Sequence, residues 1–267
     1  VVLGQRRARA REAHAALDGY VQLRHPAGEA AARTLIGNVH LRLSRFDEAA
    51  GEYEKAAAIL RRIGDLQGQA DILDNVGGVE YERGHLQKAL AHQRAALEAR
   101  RAAGDAAGRA KTWNNLGLTL RALGDRKAAI EALEHSLDLR RELGDTRGEA
   151  RTLDHLGLTY LDLGDAARAA DIFSRAAEIS RQMGDHRGEA NSLTNLGLAH
   201  LAGGDVSRSI ADHEGALAVR QRLGDEAGQA ESHRNLAAAQ QARGNLAEAR
   251  LHYGAALAIM KTRDDRR

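Results

Sequence analysis

Leu143-Gly144-Asp145-Thr146-Arg147-Gly148-Glu149-Ala150 is followed by His155-Leu156-Gly157, and the same marks return along the chain at a fixed step of 40 residues. Gly-Asp also stands at 64–65, 104–105, 184–185 and 224–225. A second glycine follows each pair (Gly68, Gly108, Gly188, Gly228), then an alanine (Ala70, Ala110, Ala190, Ala230). The triplet at 155–157 has counterparts in Asn75-Val76-Gly77, Asn115-Leu116-Gly117, Asn195-Leu196-Gly197 and Asn235-Leu236-Ala237. One more glycine closes the pattern at Gly84, Gly124, Gly164, Gly204 and Gly244. Coincidence of this many marks at one period is the signature of a tandem array. An earlier unit is in register but weaker, with Gly28, Ala30 and Gly37, and with Leu35 and Ser44 where Asn and Gly stand elsewhere. Arg24-His25 occupy the Gly-Asp position, so residues 1–25 read as the second half of a preceding unit. The expectation is one repeat domain over 1–267, with six units at 26–65, 66–105, 106–145, 146–185, 186–225 and 226–267, cut from a longer chain.

Each unit reads as two helices. In the third, Ala107 to Leu123 and Arg126 to Leu143 carry helix-forming residues in a helical period. Gly124 ends the first helix, because glycine enters the left-handed conformation without steric cost. Asp125 then caps the second. Gly117 falls inside a helix, where it costs roughly 1 kcal/mol against Ala. Its recurrence predicts a close approach of backbones, matched by small residues on the second helix at Ala129 and Ser136. The expected fold class is all-α.

Lys+Arg number 39 and Asp+Glu 37, for a net charge of +2. So even a balance argues against a nucleic-acid partner. Part of the excess sits at the ends, in Arg6, Arg7, Arg9, Arg11, Arg263, Arg266 and Arg267. The absence of cysteine excludes disulfides, thiolate nucleophiles and Cys-type zinc sites, and is compatible with a cytoplasmic location, which is the expectation. No stretch approaches the ~20 apolar residues that span a bilayer, so no membrane role is expected. The 12 histidines form no His-x-x-x-His or His-Glu-x-x-His pair. No Gly-Lys-Ser/Thr follows the paired glycines. No catalytic set, cofactor or metal is therefore expected.

Trp113-x-x-Leu116-Gly117-x-x-Leu120, followed by Ala129, Leu133 and Ser136, resembles the tetratricopeptide consensus. The usual period is 34; the longer unit here, without a terminal proline, is similar to the repeats of Pins/LGN-type polarity adaptors, kinesin light chains and actinobacterial AfsR-type regulators. The resemblance implies a right-handed superhelix of antiparallel helix pairs, with the first helix of each pair forming a concave, polypeptide-binding wall. It also implies no enzymatic activity. A second implication is a sensor arm of a larger transcriptional regulator or signal-transduction ATPase that touches its own neighbouring domains.

A residue two places before Gly117 lies about 160° around the helix from it. If Gly117 faces the partner helix, Asn115 faces the groove, as do Asn75, His155, Asn195 and Asn235. Asp74, Asn114, Asp154, Lys111, Arg121, Arg151 and Asn191 are placed nearby on the same wall. An amide both donates and accepts, so such a ladder suits the backbone of an extended peptide. Two readings of the asparagines stand: groove contacts, or ties between neighbouring helices. The leucines near them, such as Leu118 and Leu158, read more readily as packing. Tyr253, Leu257 and Met260 on the last helix leave an apolar face, from which end-to-end self-association is expected.

Overall fold

The segments between the Gly-Asp marks are rich in Ala, Leu, Arg and Glu, which lose little rotamer freedom in a helix. In the computed structural model the backbone is described for residues 2–264 and the side chains for residues 12–263. Thirteen helices and no strand are found among the described residues. The charged ends at Arg6, Arg7, Arg9, Arg11, Arg266 and Arg267 lie outside the described side chains.

The chain forms two compact units, residues 1–139 and 140–267. The first holds α1 (Val2–Gln22), α2 (Pro26–Arg42), α3 (Phe46–Ile63), α4 (Leu66–Glu82), α5 (Leu86–Ala102), α6 (Ala106–Ala122) and most of α7 (Arg126–Glu142). The second holds α8 (Thr146–Asp162), α9 (Ala166–Gln182), α10 (His186–Ala202), α11 (Val206–Arg222), α12 (Glu226–Ala242) and α13 (Leu246–Asp264). Within each unit, helices consecutive in sequence pack side by side.

Stops and starts follow the punctuation. The glycines from Gly64 to Gly244 at the helix ends all take positive φ, for example +74° at Gly64 and +85° at Gly124. Asp65, Asp105, Asp145, Asp185 and Asp225 then accept the backbone N–H three residues on, at 2.8–3.1 Å. The departures in the weak early unit keep the same geometry. Arg24 and Ser44 take φ of +50° and +57°, and His25 caps α2 through Nδ1 at 2.9 Å from the Gly28 N–H. A side chain in that conformation is strained, so Ser44→Gly is expected to raise stability by about 1 kcal/mol in chemical denaturation.

The interior glycines have a more specific cause than a backbone crossing. A Cβ on Gly117 would lie 2.6 Å from Leu133 Cγ, and only then 3.3 Å from the Ala129 carbonyl. Gly157 faces the Phe173 ring and Gly197 the His213 ring in the same way. Each glycine is thus a seat for the large side chain sixteen residues later. Tyr53, Leu133, Phe173 and His213 fill those seats and are fully buried. This contact fixes the rotation of the first helix, and so fixes which of its residues face out.

Candidate functional site

The outward face of each first helix is built from residues four apart. In the first unit it carries Asp71 and Asn75 on α4, and Lys111, Asn115, Leu118 and Arg121 on α6. Asn75 and Asn115 are half-buried, and their side-chain amides hold no hydrogen bond among the described residues. Lys111 is exposed, with Nζ 4.0 Å from Asp71, while Arg121 is half-buried and engaged. A cleft of about 410 Å³ lies beside this face, lined among others by Thr34, Leu35, Asn38 and Asp71.

Asp74 and Asn114 are not on that open wall. Both are 3% exposed; Asp74 points toward the next repeat, and Asn114 is engaged. Asp74 accepts from Arg100 Nη2 at 2.8 Å and from the Thr112 hydroxyl at 2.8 Å. The same guanidinium donates to Asp71 at 2.7 Å and to Asp105 at 2.6 Å. Burial pushes the Asp74 carboxyl above the usual carboxylate range, and the bonds from Thr112 and Arg100 only partly counter it. Burial also acts to lower the Arg100 pKa, but its three carboxylate partners more than offset that.

Arg100 belongs to a set that the sequence reading did not single out. Arg140 and Arg220 stand at the same point of their repeats, five residues before the capping aspartate, and are also buried. Arg140 pairs with Asp145. Arg220 donates to the Gly228 carbonyl and the Ser232 hydroxyl, each at 2.9 Å, and meets Glu231 at 2.9 Å. The 40-residue recurrence of Arg-x-x-x-Gly-Asp at 140–145, with Arg100 and Arg220 in the same place, was the available signal.

In the second unit the outward face carries Arg151 and His155 on α8, Asn191 and Asn195 on α10, and Glu231 and Asn235 on α12. Arg151 and Asn191 are exposed. His155 is half-buried and engaged. Asn235 is half-buried with no side-chain bond among the described residues, whereas Asn195 donates to Asp154. A cleft of about 460 Å³ is lined by Asn191, Arg220, Glu231, Arg234 and Met260 among others.

Two titratable groups in this unit are drawn out of water without a counter-charge, Asp154 in part and His213 fully. Asp154 accepts from the Ser192 hydroxyl at 3.0 Å, and its Oδ1 has no partner. Burial raises its pKa to about 6. His213 is fully buried with neither ring nitrogen bonded, and burial, helped by Arg220, lowers its pKa to about 4. No group of three or more His, Asp or Glu residues suited to a metal is found among the described residues, and none of their helices is long and apolar enough to cross a membrane. Tyr253, Leu257 and Met260 on α13 are each about half exposed.

Comparison with known proteins bears on the fold. The family model described as tetratricopeptide repeat matches residues 28–102, 108–182 and 188–262. No curated protein matches the sequence. Among solved structures, BtubC (BKLC) from P. vanneervenii is similar at 21% identity and a TM-score of 0.74, over 82% of this chain and 92% of that one. The STAND protein with a tetratricopeptide repeat sensor, PH0952 from Pyrococcus horikoshii, is similar at 16% identity and a TM-score of 0.73, over 87% of this chain and 36% of that one. A Rap protein complexed with Competence and Sporulation Factor is similar at 15% identity and a TM-score of 0.68, over 90% and 77%. Identities this low speak to architecture, while the family match spans most of the chain. The chain belongs to the tetratricopeptide repeat family.

Proposed function

We propose that the chain is a non-catalytic scaffold in which the outward first-helix faces of each unit hold an extended polypeptide. The observation that carries this reading is the set of half-buried amides at Asn75, Asn115 and Asn235 that no side chain of the described residues engages. A polar group left open on a recessed face is available to a ligand's backbone, and an amide supplies both donor and acceptor. Lys111 and Arg121 flank the amides of the first unit, Arg151 and Asn191 those of the second, and these would select among sequences. Asp74 would act indirectly, by holding the repeats that present the amides of the first unit, and Asn114, buried and engaged, would not meet the ligand.

Selection of binders from a random-peptide display library, followed by calorimetry, tests the reading. Each lost amide pair removes about 1 kcal/mol, so Asn75→Ala with Asn115→Ala is expected to weaken a selected peptide roughly tenfold or more. Unchanged affinity in that double variant would remove the ladder from the site.

A second reading, a sensor arm within a larger cytoplasmic signalling or transcriptional regulator, draws on the tetratricopeptide sensor of the P. horikoshii ATPase and on the Rap protein complexed with Competence and Sporulation Factor. Its mark would be peptide binding that changes the activity of a neighbouring domain in the full-length protein. An unaltered neighbour with the peptide saturated would count against it.

A further inference from the structure

The buried arginines sit in a repeated seat, and at one occurrence of it the large side chain gives way to a serine. In the first unit Arg100 lies between Asp74 on one side and Gly108 and Asp105 on the other. Gly108 is required there, because a Cβ would clash with the Arg100 guanidinium. Gly148 and Gly228 stand against Arg140 and Arg220 in the same manner. One repeat differs. Ser180 occupies the arginine position, yet Asp154, Asp185 and Gly188 all remain in place of Asp74, Asp105 and Gly108.

The consequences are visible in the side chains. A Cβ on Gly188 would meet only Ser180 Oγ, at 2.8 Å, and the Asp185 carboxylate. Gly108, Gly148 and Gly228 are buried beneath their arginines, whereas Gly188 is partly open. Asp154 and Asp185 form no ion pair among the described residues, and Asp154 Oδ1 is buried with no hydrogen bond. Of the cations nearby, Arg187 lies two residues past Asp185, and Arg151 is close enough to Arg140 to depress its pKa. Asp154 has neutral partners in Ser192 and Asn195 but no cation; a carboxylate drawn out of water in that state is costly, and a guanidinium that reaches it is strongly held.

We propose that this arginine-less seat, between Asp154 on α8 and Gly188 on α10, receives a cationic side chain of the bound polypeptide, with Asp154 and Asp185 as its carboxylate partners. The inference rests on the polypeptide-binding reading and makes it specific: a preferred ligand carries an arginine or lysine in register with the second unit.

The test uses the intact chain and display-selected peptides bearing an arginine, together with the same peptides carrying lysine or the neutral isostere citrulline. The Asp154 carboxyl is followed by NMR through a pH titration. The arginine peptide is expected to lower its midpoint by about one to three pH units; citrulline is expected to leave it in place and to bind roughly tenfold more weakly. The lysine peptide separates a guanidinium seat, where it falls short, from a simple charge site, where it matches arginine. Ser180→Arg places the cation in cis, and is expected to lower the midpoint without peptide and to abolish the preference for arginine over citrulline. Equal binding of arginine and citrulline peptides, with the Asp154 midpoint unmoved, would overturn the seat while leaving polypeptide binding intact. Failure to recover any peptide would sink the parent reading instead. If the midpoint rises in Arg151→Gln without peptide, Arg151 is the resident cation and the proposal fails.

Discussion

Replacing Arg100 with alanine is expected to destabilise the first unit by about 3–5 kcal/mol, because it strands the Asp74 carboxylate in a buried site. Arg100 is 2% exposed and Asp74 3% exposed, and no other cation of the described residues reaches Asp74 within ion-pair distance. Much of the loss is therefore desolvation of the charge left behind. A second substitution separates that term from lost packing. Asn114 shows that an asparagine is accommodated at this point of the repeat, so Asp74→Asn in the Arg100→Ala background should recover most of the stability. Hydrogen exchange of amides in α4 to α6, alongside chemical denaturation, reads both effects. A loss below about 1 kcal/mol for Arg100→Ala would make the buried network a passive feature.

The second unit is expected to show two opposed pH dependences that nearly cancel. Asp154 has a folded pKa of about 6, against an ordinary value of 3.8. As pH rises from about 4 to 6 the unfolded chain gives up its proton first, so stability falls. His213 has a folded pKa of about 4, against an ordinary 6.5. Its contribution is complete above pH 6.5 and is lost as pH falls toward 4. A displacement of two pH units or more corresponds to roughly 3 kcal/mol for each group. Asp154→Asn should therefore be more stable than wild type near pH 7 by about 1–3 kcal/mol, and should weaken steeply on acidification. His213→Phe should do the reverse across that window, weakening as pH rises from 4 to 6. Phe173 against Gly157 is the precedent that a phenyl ring fits such a seat. Parallel denaturation series between pH 4 and 7.5 would show crossed slopes. Identical slopes for the two variants would refute the assignment of these groups as buried and unpaired.

The helix order was legible because it rests on local chemistry. Gly-Asp pairs stop one helix and cap the next, and Arg24, His25 and Ser44 show how the same turn is made with poorer residues. The half-buried setting of Asn115 follows from its place two residues before Gly117, whose contact with Leu133 fixes the helix rotation. The buried pairs were not. Asp74 and Asp154 look alike in a helical period, and both were placed on the groove wall. Whether each is compensated depends on the residue 26 places later, arginine in one case and serine in the other. That partner lies on another helix and outside any local window, and only repeat-by-repeat comparison exposes it. The seat for Leu133 over Gly117 was similarly hidden, since a helix interior gives no local sign of which distant side chain fills it.

The central claim is that the open amides of the first helices meet a ligand's backbone. Side-chain NH₂ resonances of Asn75, Asn115 and Asn235, followed while a display-selected peptide is titrated into the intact protein, test it most directly. These resonances are expected to shift at saturation, while those of second-helix residues such as Gln87 and Gln221 stay in place. Shifts confined to the second helices, with the ladder amides unmoved, would contradict it.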